Sequence, residues 1–142
     1  MSKPLPPAAY VHPLRVYWED TDAGGVVFYA NHLKFFERAR TEWLRSLGFS
    51  QQRLREEQGL MFVVASTAVR YLRPARLDDW LEVSVAVVDS GRVSMALAQQ
   101  SWREGRLLAE GEIRIGCVDA GTFAPRRIPK PIADAAKLAL TP

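Results

Sequence analysis

The chain is poor in the groups on which many enzymes depend. Its 142 residues include one cysteine and two histidines. With Cys117 alone, no intrachain disulfide can form, and a reducing, cytoplasmic setting is expected. Cys117 lies in an apolar run, 113–118, and is expected to be a buried, inert thiol. One cysteine and the separated His12 and His32 lack the ligand spacing of a zinc site. No Gly-x-Ser-x-Gly elbow is present, which argues against a Ser-His-Asp hydrolase. Neither a P-loop nor a Gly-x-Gly-x-x-Gly fingerprint occurs. No run reaches the roughly 18 apolar residues needed to span a bilayer, and the start lacks the apolar centre of a signal peptide. The net charge of +3 mildly favours an anionic ligand, but the basic residues are too scattered for a nucleic-acid arm.

What is present suits one soluble α+β domain. Hydrophobic residues make up 48% and charged residues 25%, the balance of a globular protein. Residues 1–9 are Pro-rich and expected to form a flexible tail, leaving 10–142 as a single domain. Leu14, Val16 and Trp18 alternate with Arg15 and Tyr17, which predicts a strand over 12–18 with Trp18 on its buried face. From Asn31 the period changes: Leu33, Phe36, Arg40, Trp43, Leu44 and Leu47 recur at three- and four-residue steps. This predicts an amphipathic helix of about 16 residues, with Asn31 as N-cap and Gly48 as stop. Ser50 and Gly59 bracket a second, short helix over 51–58. Strand-like stretches follow at 60–72, 80–88, 93–102 and 107–118, and then an Ala-rich helical tail. One long helix on an antiparallel sheet of about five strands leaves two sheet edges open, so self-association is expected.

Between the first strand and the long helix lies an acidic, glycine-containing loop, 19–32. Asp22 is followed at once by Ala-Gly-Gly, which lets backbone approach a ligand closely. A helix start supplies unpaired N–H groups and the positive end of a dipole, so a carboxylate set across from it could attack a carbonyl or activate water. The alternatives are that Asp20 and Asp22 are solvated turn residues or local Asx caps, or that Glu19, Asp20 and Asp22 share a metal. Tyr29 could pack on a substrate and offer its N–H, and His32 is expected on the surface. Arg92, Arg126, Arg127 and Lys130 are candidates for binding phosphates, although each taken singly reads as a solvated charge.

The run Val16-Tyr17-Trp18-Glu19-Asp20-Thr21-Asp22-Ala23-Gly24-Gly25-Val26-Val27-Phe28-Tyr29-Ala30-Asn31-His32, continued to Arg40, resembles the 4-hydroxybenzoyl-CoA thioesterase superfamily, and within it the Tol-Pal-associated acyl-CoA thioesterase branch. A looser match runs through Tyr71-Leu72-Arg73-Pro74-Ala75, Gly111-Glu112 and Cys117-Val118-Asp119. The resemblance implies a hotdog fold, an antiparallel sheet wrapped around one long central helix. It also implies a dimer with active sites at the subunit interface, often paired into a homotetramer. The implied reaction is hydrolysis of a short-chain or aromatic acyl-CoA to free CoA and a carboxylic acid. Neither metal nor cofactor is implied, since CoA is part of the substrate. Asp22 falls on the family's nucleophile or general base, and the N–H of Tyr29 on the group that polarises the thioester carbonyl. Gly24, Gly25, Val26 and Trp18 fall on substrate-binding positions, and Arg92 with Ser94 on those for the CoA phosphates. The chain departs from the branch in having Trp18 for a usual Tyr and Tyr29 for a usual His. Two other readings remain: a non-enzymatic module binding acyl-CoA or acyl carrier protein, and a hotdog hydratase or dehydratase. The latter relies on a helix histidine, and 33–47 contains none.

Overall fold

The computed structural model describes residues 5–140. Five strands form one antiparallel sheet: β1 (Tyr10–Arg15), β2 (Leu60–Tyr71), β3 (Trp80–Ser90), β4 (Ser94–Arg103) and β5 (Arg106–Asp119). Their spatial order is β1-β3-β4-β5-β2, which puts β1 and β2 on opposite edges. The tight turns at Ser90-Gly91-Arg92 and Glu104-Gly105 join β3 to β4 and β4 to β5 as hairpins. One face of the sheet is apolar because alternate residues point the same way. Val83, Val85 and Val87 on β3, Leu97 on β4, and Ile113, Ile115 and Cys117 on β5 are buried. Bulges between Val87 and Asp89, Val64 and Ser66, and Ser101 and Trp102 interrupt the ladders, and such bulges bend a sheet.

The first helix, α1 (Asn31–Ser46), packs on β3 and β1. Its buried face is His32, Phe35, Phe36, Ala39, Trp43 and Leu44, the three- and four-residue spacing seen in the sequence. It stops at Gly48, whose φ of +90° suits glycine and whose N–H donates to Arg45 O at 2.9 Å. The second helix, α2 (Gln51–Gln58), starts at Ser50, whose hydroxyl accepts from Arg53 N at 3.1 Å, and ends on left-handed Gly59. Ser50→Ala is expected to lower unfolding free energy by about 1 kcal/mol, measured by urea titration. The last helix, α3 (Lys130–Leu140), buries Ile132 and Ala136. Among the described residues no helix is long and apolar enough to cross a membrane.

Three local expectations are corrected. The first strand ends at Arg15, and Trp18 is 83% exposed. The cause is Asp20, whose Oδ2 accepts from Tyr17 N at 2.8 Å and winds Trp18–Asp20 into a 3-10 turn. Asn31 is not the cap of α1; Ala30 is, with no side-chain cap bond, while Asn31 Nδ2 donates to Asp20 O at 2.9 Å. His32 is not a surface residue but 3% exposed. Of the tail expected over 1–9, residues 1–4 lie outside the described residues, and Ala9 N extends the pairing with β3 by donating to Val85 O at 2.7 Å.

Candidate active site

The acidic loop is a tight hairpin closed by the isolated bridge Thr21–Val27. Asp22 N donates to Val26 O at 2.9 Å, Gly25 N to Asp22 O at 3.0 Å, and Gly25 takes a φ of +76°. Val27 N donates to Ala75 O at 2.8 Å and Val26 bridges Arg76, which pins the hairpin to the segment ahead of β3. The two aspartates differ sharply. Asp20 is buried, its carboxylate spent on Tyr17 N and its carbonyl accepting from Phe28 N and Asn31 Nδ2. Asp22 is exposed, and Oδ1 accepts from Gly24 N at 2.8 Å. That bond is the Asx turn weighed above, but it uses one oxygen; Oδ2 has no hydrogen-bond partner among the described residues. A Cβ at Gly24 would lie 3.2 Å from Asp22 Oδ1, so glycine keeps this carboxylate uncrowded. Glu19, Asp20 and Asp22 do not converge, and among the described residues no three acidic, His or Cys side chains are placed to hold a metal.

The hairpin delivers the chain to the start of α1. Asn31 is drawn away to Asp20 and Ala30 has no capping side chain, and just ahead of the helix the backbone N–H groups of Tyr29 and Ala30 have no partner among the described residues. Such unpaired donors at the positive end of a helix dipole suit a carbonyl oxygen acquiring charge. The Tyr29 carbonyl, by contrast, is held: it accepts from Tyr71 OH at 2.9 Å and from His32 N at 3.3 Å. Burial first, and then the neighbouring Tyr29, push the Tyr71 phenol up, so it stays a donor. The Tyr29 ring itself is exposed, packed on Phe28 and edge-on to Tyr71. Tyr71 was missed in the sequence. It reaches the loop through the β2–β5 register, which no local pattern reveals.

The other expected residues gather elsewhere. Arg92 lines a cleft of about 710 Å³ together with Arg126, Arg127, Lys130 and Lys137. Ile128 N donates to Arg92 O at 2.9 Å, which brings the segment before α3 beside the β3–β4 turn. Arg126 pairs with Asp119 and Lys130 with Asp134, each at 2.8 Å. Residues that read singly as solvated charges are therefore one basic surface. Ser94 is not part of the cleft wall; as the first residue of β4 it closes the turn, its carbonyl accepting from Gly91 N at 2.8 Å. Trp18 projects into solvent, and Val26 is spent on the bridge to Arg76. Within one chain the cleft and Asp22 lie at opposite ends of the sheet. Ser94 to Ser101, the row beside Tyr71, is about 23 Å at about 3.3 Å per residue.

This arrangement has counterparts among known proteins. Residues 16–136 match the family profile described as the thioesterase-like superfamily. The chain belongs to that superfamily. It is 47% identical over 120 residues to the acyl-CoA thioesterase YbgC of Haemophilus influenzae, covering 84% of this chain and 88% of that one. It is 35% identical over 125 residues to the YbgC acyl-CoA thioesterase of Helicobacter pylori strain 26695, covering 82% and 91%. The crystal structure of a probable thioesterase from Bartonella henselae superposes with a TM-score of 0.81 at 32% identity, covering 84% and 98%. The five-stranded antiparallel sheet with its helices is thus the α+β hotdog fold of thioesterases.

Proposed function

We propose that the chain is an acyl-CoA thioesterase, with α1 as the central helix of its sheet, Asp22 as its working carboxylate and the start of α1 as its oxyanion site. The observation that carries this reading is the uncapped helix start beside an exposed carboxylate, in a chain of the thioesterase-like superfamily. The thioester carbonyl oxygen accepts from Tyr29 N–H, and Asp22 faces the carbonyl carbon. Asp22 either attacks it, forming an anhydride that water opens, or takes a proton from the attacking water. CoA leaves as the thiol, and the acyl group leaves as a carboxylic acid. Gly24 and Gly25 give the thioester room. No metal or redox cofactor takes part in the reaction as proposed, and a cytoplasmic setting suits the lone, buried Cys117.

The basic cleft at Arg92 is the proposed seat of the CoA phosphates, with Ser94 shaping the turn that holds it. Its distance from Asp22 favours a site completed by a second copy, in which one subunit's cleft serves its partner's Asp22. The unpaired edge of β2, exposed from Val64 to Ala68, is suited to join the same strand of that copy. Pairing of dimers into a tetramer extends the same proposal.

Arg92→Glu is expected to raise KM for acyl-CoA about tenfold, equivalent to about 1.4 kcal/mol, and to leave kcat unchanged. The same acyl group on N-acetylcysteamine, which has no nucleotide, should show no change. Equal KM values for wild type and variant with acyl-CoA would remove the cleft from the site. The Asx-turn bond from Gly24 N to Asp22 favours the second reading, a module that binds acyl-CoA or acyl carrier protein without turnover. Thiol release from a panel of short, long and aromatic acyl-CoAs separates the two, since a binding module releases none.

A further inference from the structure

Two buried polar atoms under the start of α1 have no partner among the described residues: His32 Nδ1 and Ser101 Oγ. They come from different elements, and the register sets them side by side. Phe36 lies over the row formed by Gln99 and Gly111: Gln99 Nε2 donates to Phe36 O at 2.9 Å, and a Cβ at Gly111 would stand 3.1 Å from Phe36 Cε2. The next row is Ser101 on β4, Ala109 on β5 and Tyr71 on β2. Two residues of strand advance about 6.6 Å and four residues of helix about 6 Å. His32, four residues before Phe36, therefore overlies that row. Its ring centroid is 5.5 Å from that of Tyr71, as this register requires. Ala109, between Tyr71 and Ser101 in this row, presents only a methyl group to the imidazole. Ser101 is 0% exposed and His32 3%, so bulk water does not serve either atom.

We propose that Ser101 and His32 form one buried hydrogen-bonded unit, with His32 Nδ1 as acceptor, and that His32 is a positioning residue for the start of α1. The two atoms do not bond directly, so one enclosed water carries the link. A hydroxyl supplies the donor and a hydrogen-free imidazole nitrogen the acceptor, which leaves the ring proton on Nε2. His32 in turn braces Tyr71, whose hydroxyl holds the Tyr29 carbonyl. That carbonyl belongs to Tyr29 itself, so holding it restrains the backbone of the residue whose N–H is the proposed donor, and it fixes the plane of the neighbouring Ala30 N–H directly. The titratable group packed on the imidazole is Tyr71 of β2; Ser101 and Ala109 bring no charge from β4 and β5. Burial alone acts on the ring and lowers its pKa, which favours the neutral form.

The positioning role rests on the thioesterase reading; the hydrogen-bonded unit does not, and the two are tested by different signals. In 15N-labelled protein, long-range proton–nitrogen spectra report the charge and tautomer of each imidazole. Only His12 and His32 contribute, and His12→Gln leaves one set. His32 should be neutral at pH 7 with its proton on Nε2, and Ser101→Ala should shift its Nδ1 resonance. A proton on Nδ1, or a Nδ1 resonance unmoved in Ser101→Ala, overturns the unit. In steady-state assays Ser101→Ala should lower kcat about tenfold with KM unchanged, and Ser101→Thr, which keeps the hydroxyl, should restore it. An unmoved kcat alongside a shifted resonance overturns the positioning role. Absence of thiol release from wild type overturns the thioesterase reading, while the spectra still decide the unit.

Discussion

Asp22→Asn should reduce kcat for acyl-CoA hydrolysis about 10³-fold or more, the scale of a lost general base or nucleophile. The substitution is close to isosteric, and the new carboxamide oxygen can still accept from Gly24 N, the one side-chain hydrogen bond of Asp22 among the described residues. The hairpin and the far-ultraviolet circular dichroism spectrum should therefore be unchanged. KM should move little, because the CoA portion is held elsewhere in the proposed complex. Thiol release followed with a thiol-reactive dye gives the result directly. Undiminished turnover in the variant would remove Asp22 from the chemistry and return it to the role of an Asx-turn residue. The same exchange at Asp20 would be uninformative about catalysis, since its buried carboxylate holds Tyr17 N and builds the turn.

Phe36→Ala should cost about 4 kcal/mol of unfolding free energy, in the middle of the range for a buried aromatic. Phe36 is fully buried on α1 and meets β5 at Gly111, where there is no side chain to relax into the space left behind. Its carbonyl also accepts from Gln99, whose Oε1 in turn accepts from Arg40 Nη1 at 2.9 Å, so a shift of the helix backbone would disturb a buried polar chain. The large cost follows from a site that cannot collapse. Urea unfolding should show the midpoint falling with little change in slope. A loss under about 1 kcal/mol would mean that α1 settles toward the sheet and closes the cavity.

The parts of this fold that were legible in the sequence are those governed by neighbours in the chain. The apolar period of α1, its stop at Gly48, and α2 between Ser50 and Gly59 all came through, because capping and helical spacing act over a few residues. Strand positions were right to within a few residues for the same reason. Trp18, Asn31 and His32 were misjudged because each answers to something distant or to a competing local bond. Asp20 captures Tyr17 N and ends the alternation before Trp18. Asp20 O draws Asn31 away from the cap position. His32 is enclosed by Tyr71, which lies 39 positions further on and arrives through β2. The loop at Asp22 was marked as a candidate from its glycines and the family resemblance. The basic cleft was not, because Arg92 and Arg126-Arg127 become neighbours only when the segment before α3 folds back on the β3–β4 turn.

The unpaired donors at the start of α1 belong to the main chain, and this changes how they would register in genetics. Replacing Tyr29 or Ala30 by nearly any residue leaves the N–H in place; only proline deletes it. On the proposed mechanism, a saturation screen for loss of function would score the carboxylate at Asp22 as intolerant and the two donor positions as permissive, apart from one column. Natural drift at these positions would look equally permissive, so the half of the site that receives charge would leave almost no trace in sequence variation.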